Sequence, residues 1–152
     1  MTHYQGIAIG GKDSYDSSGS SVSGIGNFNG DRYHDVAIGA PKASPNGKTQ
    51  AGSVFVTYGS DGSAIPLQIN LANNNYAHTE IMGANAGDQC GILVTHAGDF
   101  NGDQLDDLLI SCYLASPNEL NQAGAAYVVY GGKNLTSIDL ANLASNTGFS
   151  IY

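Results

Sequence analysis

Apolar positions in this chain come in short runs, each broken by Gly, Asn, Asp or Ser. VAIG at 36–39, VFVTY at 54–58, LLIS at 108–111 and AYVVY at 126–130 are rich in β-branched and aromatic residues and nearly continuous. Runs of that kind predict strands covered on both faces. Shorter segments at 20–23, 92–96, 79–82 and 149–152 read as further strands. No stretch carries the 3.6-residue periodicity of an amphipathic helix.

The runs recur. A shift of 72 residues, the distance from Asp16 to Asp88, superposes the chain on itself without a gap from Gly11 to Gly59. Gly19 then falls on Gly91, Val22 on Val94, the FNGD of 28–31 on that of 100–103, and Ile38 on Ile110. Ser44-Pro45-Asn46 falls on Ser116-Pro117-Asn118, and INLA at 69–72 resembles IDLA at 138–141 after a small slip. Each unit reads as four strands in order, one blade spanning 11–82 and the next 83–152. GIAIGG at 6–11 resembles TEIMG at 79–83 and GFSIY at 148–152, so 6–11 is a surplus copy of the outer strand. Four-stranded antiparallel blades stacked face to face would cover both faces of the central strands.

Composition narrows the chemistry. Only 12% of residues are charged and 21 are Gly, which suits a turn-rich all-β chain. The net charge is −8 and no basic stripe exists, which argues against nucleic acid and against a polybasic membrane contact. No run is long and apolar enough for membrane insertion. The opening MTHYQGIAIGG has neither a basic nor an apolar segment of the signal-peptide kind.

The acidic residues cluster in two loops at the same phase of the repeat. Loop one is Asn27-Phe28-Asn29-Gly30-Asp31-Arg32-Tyr33-His34-Asp35, and loop two is Asp99-Phe100-Asn101-Gly102-Asp103-Gln104-Leu105-Asp106-Asp107. Oxygen-bearing side chains stand at positions 1, 3, 5 and 9, and position 7 offers the backbone carbonyl of Tyr33 or Leu105. A tight loop can wrap such a set around one Ca2+ ion at about 2.3–2.6 Å. An EF-hand is excluded, because its Glu at position 12 is replaced by Ile38 or Ile110 within an apolar strand. The alternative is a polar Asn-Gly turn that holds no ion. Loop two supplies Asp99, Asp103 and Asp107, loop one only Asp31 and Asp35, so loop two is expected to bind more tightly.

With their flanks, GNFNGDRYHDVAIGAP at 26–41 and GDFNGDQLDDLLISCY at 98–113, the loops resemble the FG-GAP repeats of integrin α-subunit propellers and their bacterial relatives. Gly39-Ala40-Pro41 keeps that family's Gly-Ala-Pro, which Ser111-Cys112-Tyr113 replaces in the second unit. Its Phe-Gly survives only as Ser18-Gly19 and Cys90-Gly91. The resemblance implies β-propeller blades, one Ca2+ per loop and hence two per chain, and adhesion or protein binding rather than catalysis. Loops with two or three carboxylates and no Glu clamp read as weak sites of the extracellular range, about 10⁻⁴–10⁻³ M, so a secreted or cell-surface parent is expected. Two blades cannot close a propeller of about 4–8 blades, so a ring-forming homo-oligomer is expected, a trimer by preference.

Other readings are weaker. His3, His34, His78 and His96 show no metal or catalytic spacing, and Asp106-Asp107 would point to opposite faces of a strand. A glycan-binding propeller would use exposed aromatics, for which Tyr33, Tyr76 and Tyr113 are candidates, with ordinary blade packing as their other role; a purely structural module of a larger surface protein is the remaining alternative. Asn134-Leu135-Thr136 is a glycosylation sequon in a loop. If 94 pairs with 108, then Cys90 faces Cys112 across neighbouring strands, as a disulfide or as two buried thiols.

Overall fold

The computed structural model describes residues 6–62, 65–73 and 75–152; His3 lies outside them. Among the described residues the strands are β1 (Ala8–Gly10), β2 (Ser21–Gly26), β3 (Asp35–Ala40), β4 (Ser53–Thr57), β5 (Gln68–Asn70) and β6 (His78–Met82) in the first unit. The second holds β7 (Leu93–Gly98), β8 (Asp107–Cys112), β9 (Ala125–Val129), β10 (Ser137–Asp139) and β11 (Gly148–Ile151). Single 3-10 turns at Pro45–Gly47, Pro117–Glu119 and Leu140–Asn142 are the helical elements.

The apolar runs became the inner strands of two antiparallel sheets. β2, β3, β4 and β6 pair in that order, as do β7, β8, β9 and β11. Both sheets bulge at the same place, between Gly24 and Gly26 and between His96 and Gly98, just before each acidic loop.

The sheets stack. Ala37, Val54, Val56 and Ile81 of the first share one buried cluster with Val94, Leu108, Ile110, Tyr127 and Val129 of the second. Burying a side chain of this size removes about 1.5–3 kcal/mol of unfavourable exposure. The stack is tightest at Gly39, where a Cβ would lie 2.0 Å from the Gly91 carbonyl oxygen. Glycine is required there because backbone meets backbone. Phe55 faces the opposite way and packs with Ala40, Ala43, Ile69 and Leu71, with Ile9, Ile65 and Tyr76 against them.

Two short parallel pairings form that the apolar runs did not announce, one between the units and one within the first. β10 lies beside β6, with Ile138 opposite Ile81, so the second unit adds a fifth strand to the first sheet. β1 lies beside β5, with Ile9 opposite Ile69. The surplus strand of 6–11 therefore does not extend either four-stranded sheet at its antiparallel edge. Lys48 reinforces the first of these junctions, its Nζ 2.8 Å from the Asp139 carboxylate and 3.3 Å from the Gly83 carbonyl.

The hairpin register differs from the sequence expectation. Val94 opposes Ile110, and Leu108 opposes His96, because the strands run two residues further along each other than assumed. Cys90 precedes β7 altogether, in a bend where Gln89 and Gly91 both have positive φ. That bend folds Cys90 back onto the end of β8, and a disulfide joins Cys90 to Cys112. The Cys90 N–H also donates to the Ala51 carbonyl at 2.9 Å, so the crosslinked bend rests on the first sheet.

The bond spans 22 residues. A loop of that size restricts the unfolded chain enough to stabilise the fold by about 3 kcal/mol. The Cys90→Ala/Cys112→Ala double variant should therefore lose about 2–4 kcal/mol in urea unfolding. Reductant should lower the wild-type midpoint similarly and leave the variant unmoved.

Candidate metal centre

Each acidic loop begins as its hairpin's first strand ends in a bulge, and it ends on the first residue of the next strand. Gly30 and Gly102 both sit at φ +80°, the left-handed conformation at which the loop reverses. Short side chains then bond the loop's own backbone. In loop two, Asp99 Oδ1 accepts from the N–H groups of Gly102 and Asp103 at 2.8 and 3.0 Å, and Oδ2 accepts from Gln104 at 2.9 Å. Asn101 Oδ1 accepts from Asp103, and Asp103 Oδ1 from Leu105. Loop one repeats the pattern. Asn27 Oδ1 accepts from Gly30 and Asp31, Asn29 Oδ1 from Asp31, and Asp31 Oδ1 from Tyr33.

Position 9 behaves differently. Asp35 and Asp107 are buried. Asp35 accepts from Phe28 at 2.8 Å and Asn29 at 3.2 Å on one oxygen, and from Gly59 at 2.9 Å on the other. Asp107 accepts from Phe100 at 2.7 Å and from Gly131 at 2.9 Å. Each carboxylate thus ties the loop's start to the chain leaving the third strand. Burial raises the pKa of both above the ordinary aspartate value, against the opposing pull of these N–H donors.

The predicted ligands of each loop therefore lie in one short stretch, and they divide into two kinds. Asp31, Asp99, Asn101 and Asp103 are exposed, Asn27 and Asn29 half-buried, Asp35 and Asp107 inside. Tyr33 and Leu105 place their backbone between the exposed carboxylates and the buried one. Among the described residues, no group of three or more His, Cys, Asp or Glu side chains is gathered as a metal cluster. The donor set is of another type, carboxylates mixed with amide and main-chain oxygens, and that chemistry fits a hard cation.

Sequence reasoning weighed Asp106 only as half of a pair with Asp107 and gave it no role of its own. Its Oδ2 accepts from the Asn27 N–H at 2.7 Å, and its Oδ1 lies 2.7 Å from His96 Nε2. The Asp106 N–H donates to the Asn27 carbonyl, and the Gly132 N–H to the Phe28 carbonyl. Loop one is thereby docked against the second sheet. The hydrogen bond from His96, with the smaller help of Asn27, holds the Asp106 carboxyl below its ordinary range despite partial burial. The adjacent Asp106-Asp107 pair was a signal, since neighbours in a strand serve opposite faces. Of the aromatic candidates, Tyr76 donates to the Tyr58 carbonyl and packs in the core, Tyr33 lies under Arg32, and Tyr113 is exposed beside Gln89.

The two kinds of aspartate separate experimentally. With chelator present, Asp107→Ala should cost about 2–3 kcal/mol in chemical unfolding, because the Phe100 and Gly131 donors lose their partner. Asp103→Ala under the same conditions should change stability by less than about 0.5 kcal/mol, since the side chain is exposed. The carboxyl of Asp107, followed by carbon-13 NMR, should titrate above its ordinary value of 3.8 without calcium. Saturating calcium should move that midpoint downward, because an adjacent cation favours the ionised form.

Residues 18–57 match the FG-GAP repeat family model, a span holding loop one and the first three strands of the first sheet. The chain is 30% identical over 112 residues to phosphatidylinositol-glycan-specific phospholipase D of Rattus norvegicus, covering 74% of this chain and 13% of the relative. Its Bos taurus counterpart is 33% identical over 106 residues, 70% of this chain and 12% of the relative. Integrin alpha pat-2 of Caenorhabditis elegans is 33% identical over 109 residues, 70% of this chain and 8% of the relative. The chain thus spans only a small fraction of each of these proteins. By its matched repeat and its likeness to an integrin α-subunit, it belongs to the FG-GAP, integrin-like repeat family.

Proposed function

We infer that the chain is a calcium-binding, non-enzymatic β-propeller module of a secreted or cell-surface protein, serving adhesion or protein binding. One observation carries this reading. Two loops 72 residues apart adopt the same fold, with the same side-chain oxygens bonded to the same backbone positions. A polar turn needs one such capping residue; it does not need an oxygen at positions 1, 3, 5 and 9 in both copies.

Asp99, Asn101, Asp103 and Asp107 with the Leu105 carbonyl would hold one ion. Asn27, Asn29, Asp31 and Asp35 with the Tyr33 carbonyl would hold the other. The bound ion supplies charge neutralisation, which removes repulsion among carboxylates and fixes the loop. The protein's own part is to preset the turn through Gly30 and Gly102 and to hold the innermost carboxylate by backbone donors.

The non-enzymatic reading rests on what the polar groups already do. His96 and Asp106, the nearest approach to an acid–base pair, join loop one to the second sheet. The location rests on affinity. Loops with two or three carboxylates and no Glu clamp are weak sites, suited to the extracellular range of about 10⁻⁴–10⁻³ M. No described helix is long and apolar enough to cross a membrane.

A glycan-binding propeller is the second reading. A cleft beside loop one is lined by Asn29, Asp31, Tyr58, His78, Lys133 and Asn134, a mixture of hydrogen-bonding groups around an aromatic ring. A glycan array run with calcium present separates this from protein adhesion.

Isothermal titration should find two calcium ions per chain, loop two the tighter. Asp103→Ala should remove the tighter phase and Asp31→Ala the weaker one. A titration that Asp103→Ala leaves unchanged would show that loop two is not the site. Calcium at about a hundred times its dissociation constant should stabilise the fold by about 2.7 kcal/mol.

A further inference from the structure

The two acidic loops are far apart in sequence and meet in space, inside the join between the two units. Asn27 opens loop one, and loop two binds both of its backbone groups. Its N–H donates to Asp106 Oδ2 at 2.7 Å, and its carbonyl accepts from the Asp106 N–H at 3.1 Å. Gly30, the turn of loop one, lies under the side chains of Leu105 and Lys133; a Cβ there would stand 3.2 Å from Leu105 Cδ2 and from Lys133 Cε. A Cβ on Gly102, the equivalent turn of loop two, would meet nothing within 4 Å. Positions 7 and 8 of loop two thus grip positions 1 and 4 of loop one.

A third segment binds both loops. The Gly131 N–H donates to Asp107 Oδ1 at 2.9 Å, and the next N–H, that of Gly132, donates to the Phe28 carbonyl at 2.8 Å. A Cβ on Gly131 would lie 2.6 Å from the Phe28 carbonyl oxygen and 2.6 Å from that of Asp106. Consecutive residues of one turn therefore hold one loop each, at backbone contact with both.

We propose that the two loops are coupled ion sites: filling loop two orders loop one and raises its affinity for the second Ca2+ ion. This coupling rests on the calcium reading of the loops. The candidate ligands of loop two include the Leu105 carbonyl and the Asp107 carboxylate, one on each side of Asp106. An ion that fixes both fixes the Asp106 backbone between them, and with it the two bonds to Asn27. Asn27 is itself a candidate ligand of loop one. The cost of ordering the shared backbone falls on the first ion, so the second meets a loop already set. Coupling in binding is reciprocal, so an ion in loop one tightens loop two by the same factor. Repulsion between the two cations opposes the effect, and the Asp106 carboxylate, placed between the loops, reduces it.

Proton–nitrogen NMR of the full chain during a calcium titration tests the coupling. The Gly30 and Gly102 N–H groups are bonded to the first side chain of their own loops, Asn27 and Asp99, so each reports its own site. Asp103→Ala silences loop two, and loop one, read at Gly30, should then bind calcium about fivefold or more weakly than in the wild type. Asp31→Ala silences loop one, yet the Gly30 signal should still move at the midpoint of loop two. Leu105→Ala combined with Asp106→Ala removes the grip and keeps every candidate ligand, since Leu105 contributes only its carbonyl. There Gly102 should still report binding, while loop one should show the weak affinity it has in Asp103→Ala. Equal affinity of loop one in the wild type and in Asp103→Ala overturns the coupling and leaves the calcium reading standing. So does a Gly30 signal that stays still in Asp31→Ala, or a loop one that tightens once loop two is silenced. If neither glycine signal moves at millimolar calcium, the coupling and the calcium reading fall together.

Discussion

The buried carboxylate at the end of each acidic loop is the constraint on which the rest of the structure depends. Asp35 and Asp107 open the second strand of their sheets, and each collects N–H groups from the loop's beginning and from the turn beyond the third strand. Three segments distant along the unit are thus fixed at one point. The loop cannot open without stranding buried donors, at about 1–3 kcal/mol for each unsatisfied group. The arrangement carries a standing cost, because burial works against the charge that the donors require. A cation beside the loop would relieve that conflict, since a nearby positive charge favours the ionised carboxylate.

The stacking of the sheets follows from the same loops. Loop one is a polar, oxygen-rich segment by composition and a docking element by geometry. Asn27 and Phe28 present backbone groups to Asp106 and Gly132, while the Phe28 ring fills the join. His96 steadies Asp106 from behind. Loop position and sheet packing are therefore coupled through two backbone contacts and one ring. Loop two has the same ring and the same loop conformation but no further sheet beside it among the described residues, and Phe100 and Ile151 are exposed where Phe28 and Ile81 are buried.

What was legible in the sequence follows from how local each signal is. The eight strands of the two antiparallel sheets, the loops and the turn glycines were readable because each depends on neighbours in sequence and each appears twice. Strand ends moved by one to three residues, as when the segment at 20–23 became Ser21–Gly26. The parallel strands β5 and β10 are three residues long, and only one residue of each is buried, too little apolar pattern to register. INLA and IDLA were recognised as repeats without their pairing being foreseen. The hairpin register was misjudged by two residues because a slip of two keeps every side chain on the same face, so the hydrophobic pattern does not register it; the bulge before Gly26 and Gly98 shifts the pairing by one more. The facing of Cys90 and Cys112 was foreseen, yet a bend rather than strand register brings them together.

For the candidate site, the spacing marked the oxygen positions but not the division of labour among them. Nothing in the spacing says that position 9 is buried and positions 3 and 5 are open, since burial is decided by the third strand's exit turn, 24 residues further on. Nor does it say that Asp106 belongs to loop one's contacts, since that partnership exists only once two units are stacked. The distinction bears on what a weak ion site of the proposed kind would do. An ion held only by exposed carboxylates would order a surface loop and nothing more. Here the loop shares Asp35 with the exit turn at Gly59 and shares Asn27 and Phe28 with the neighbouring sheet. Ordering it therefore acts on the geometry at which one blade meets the next.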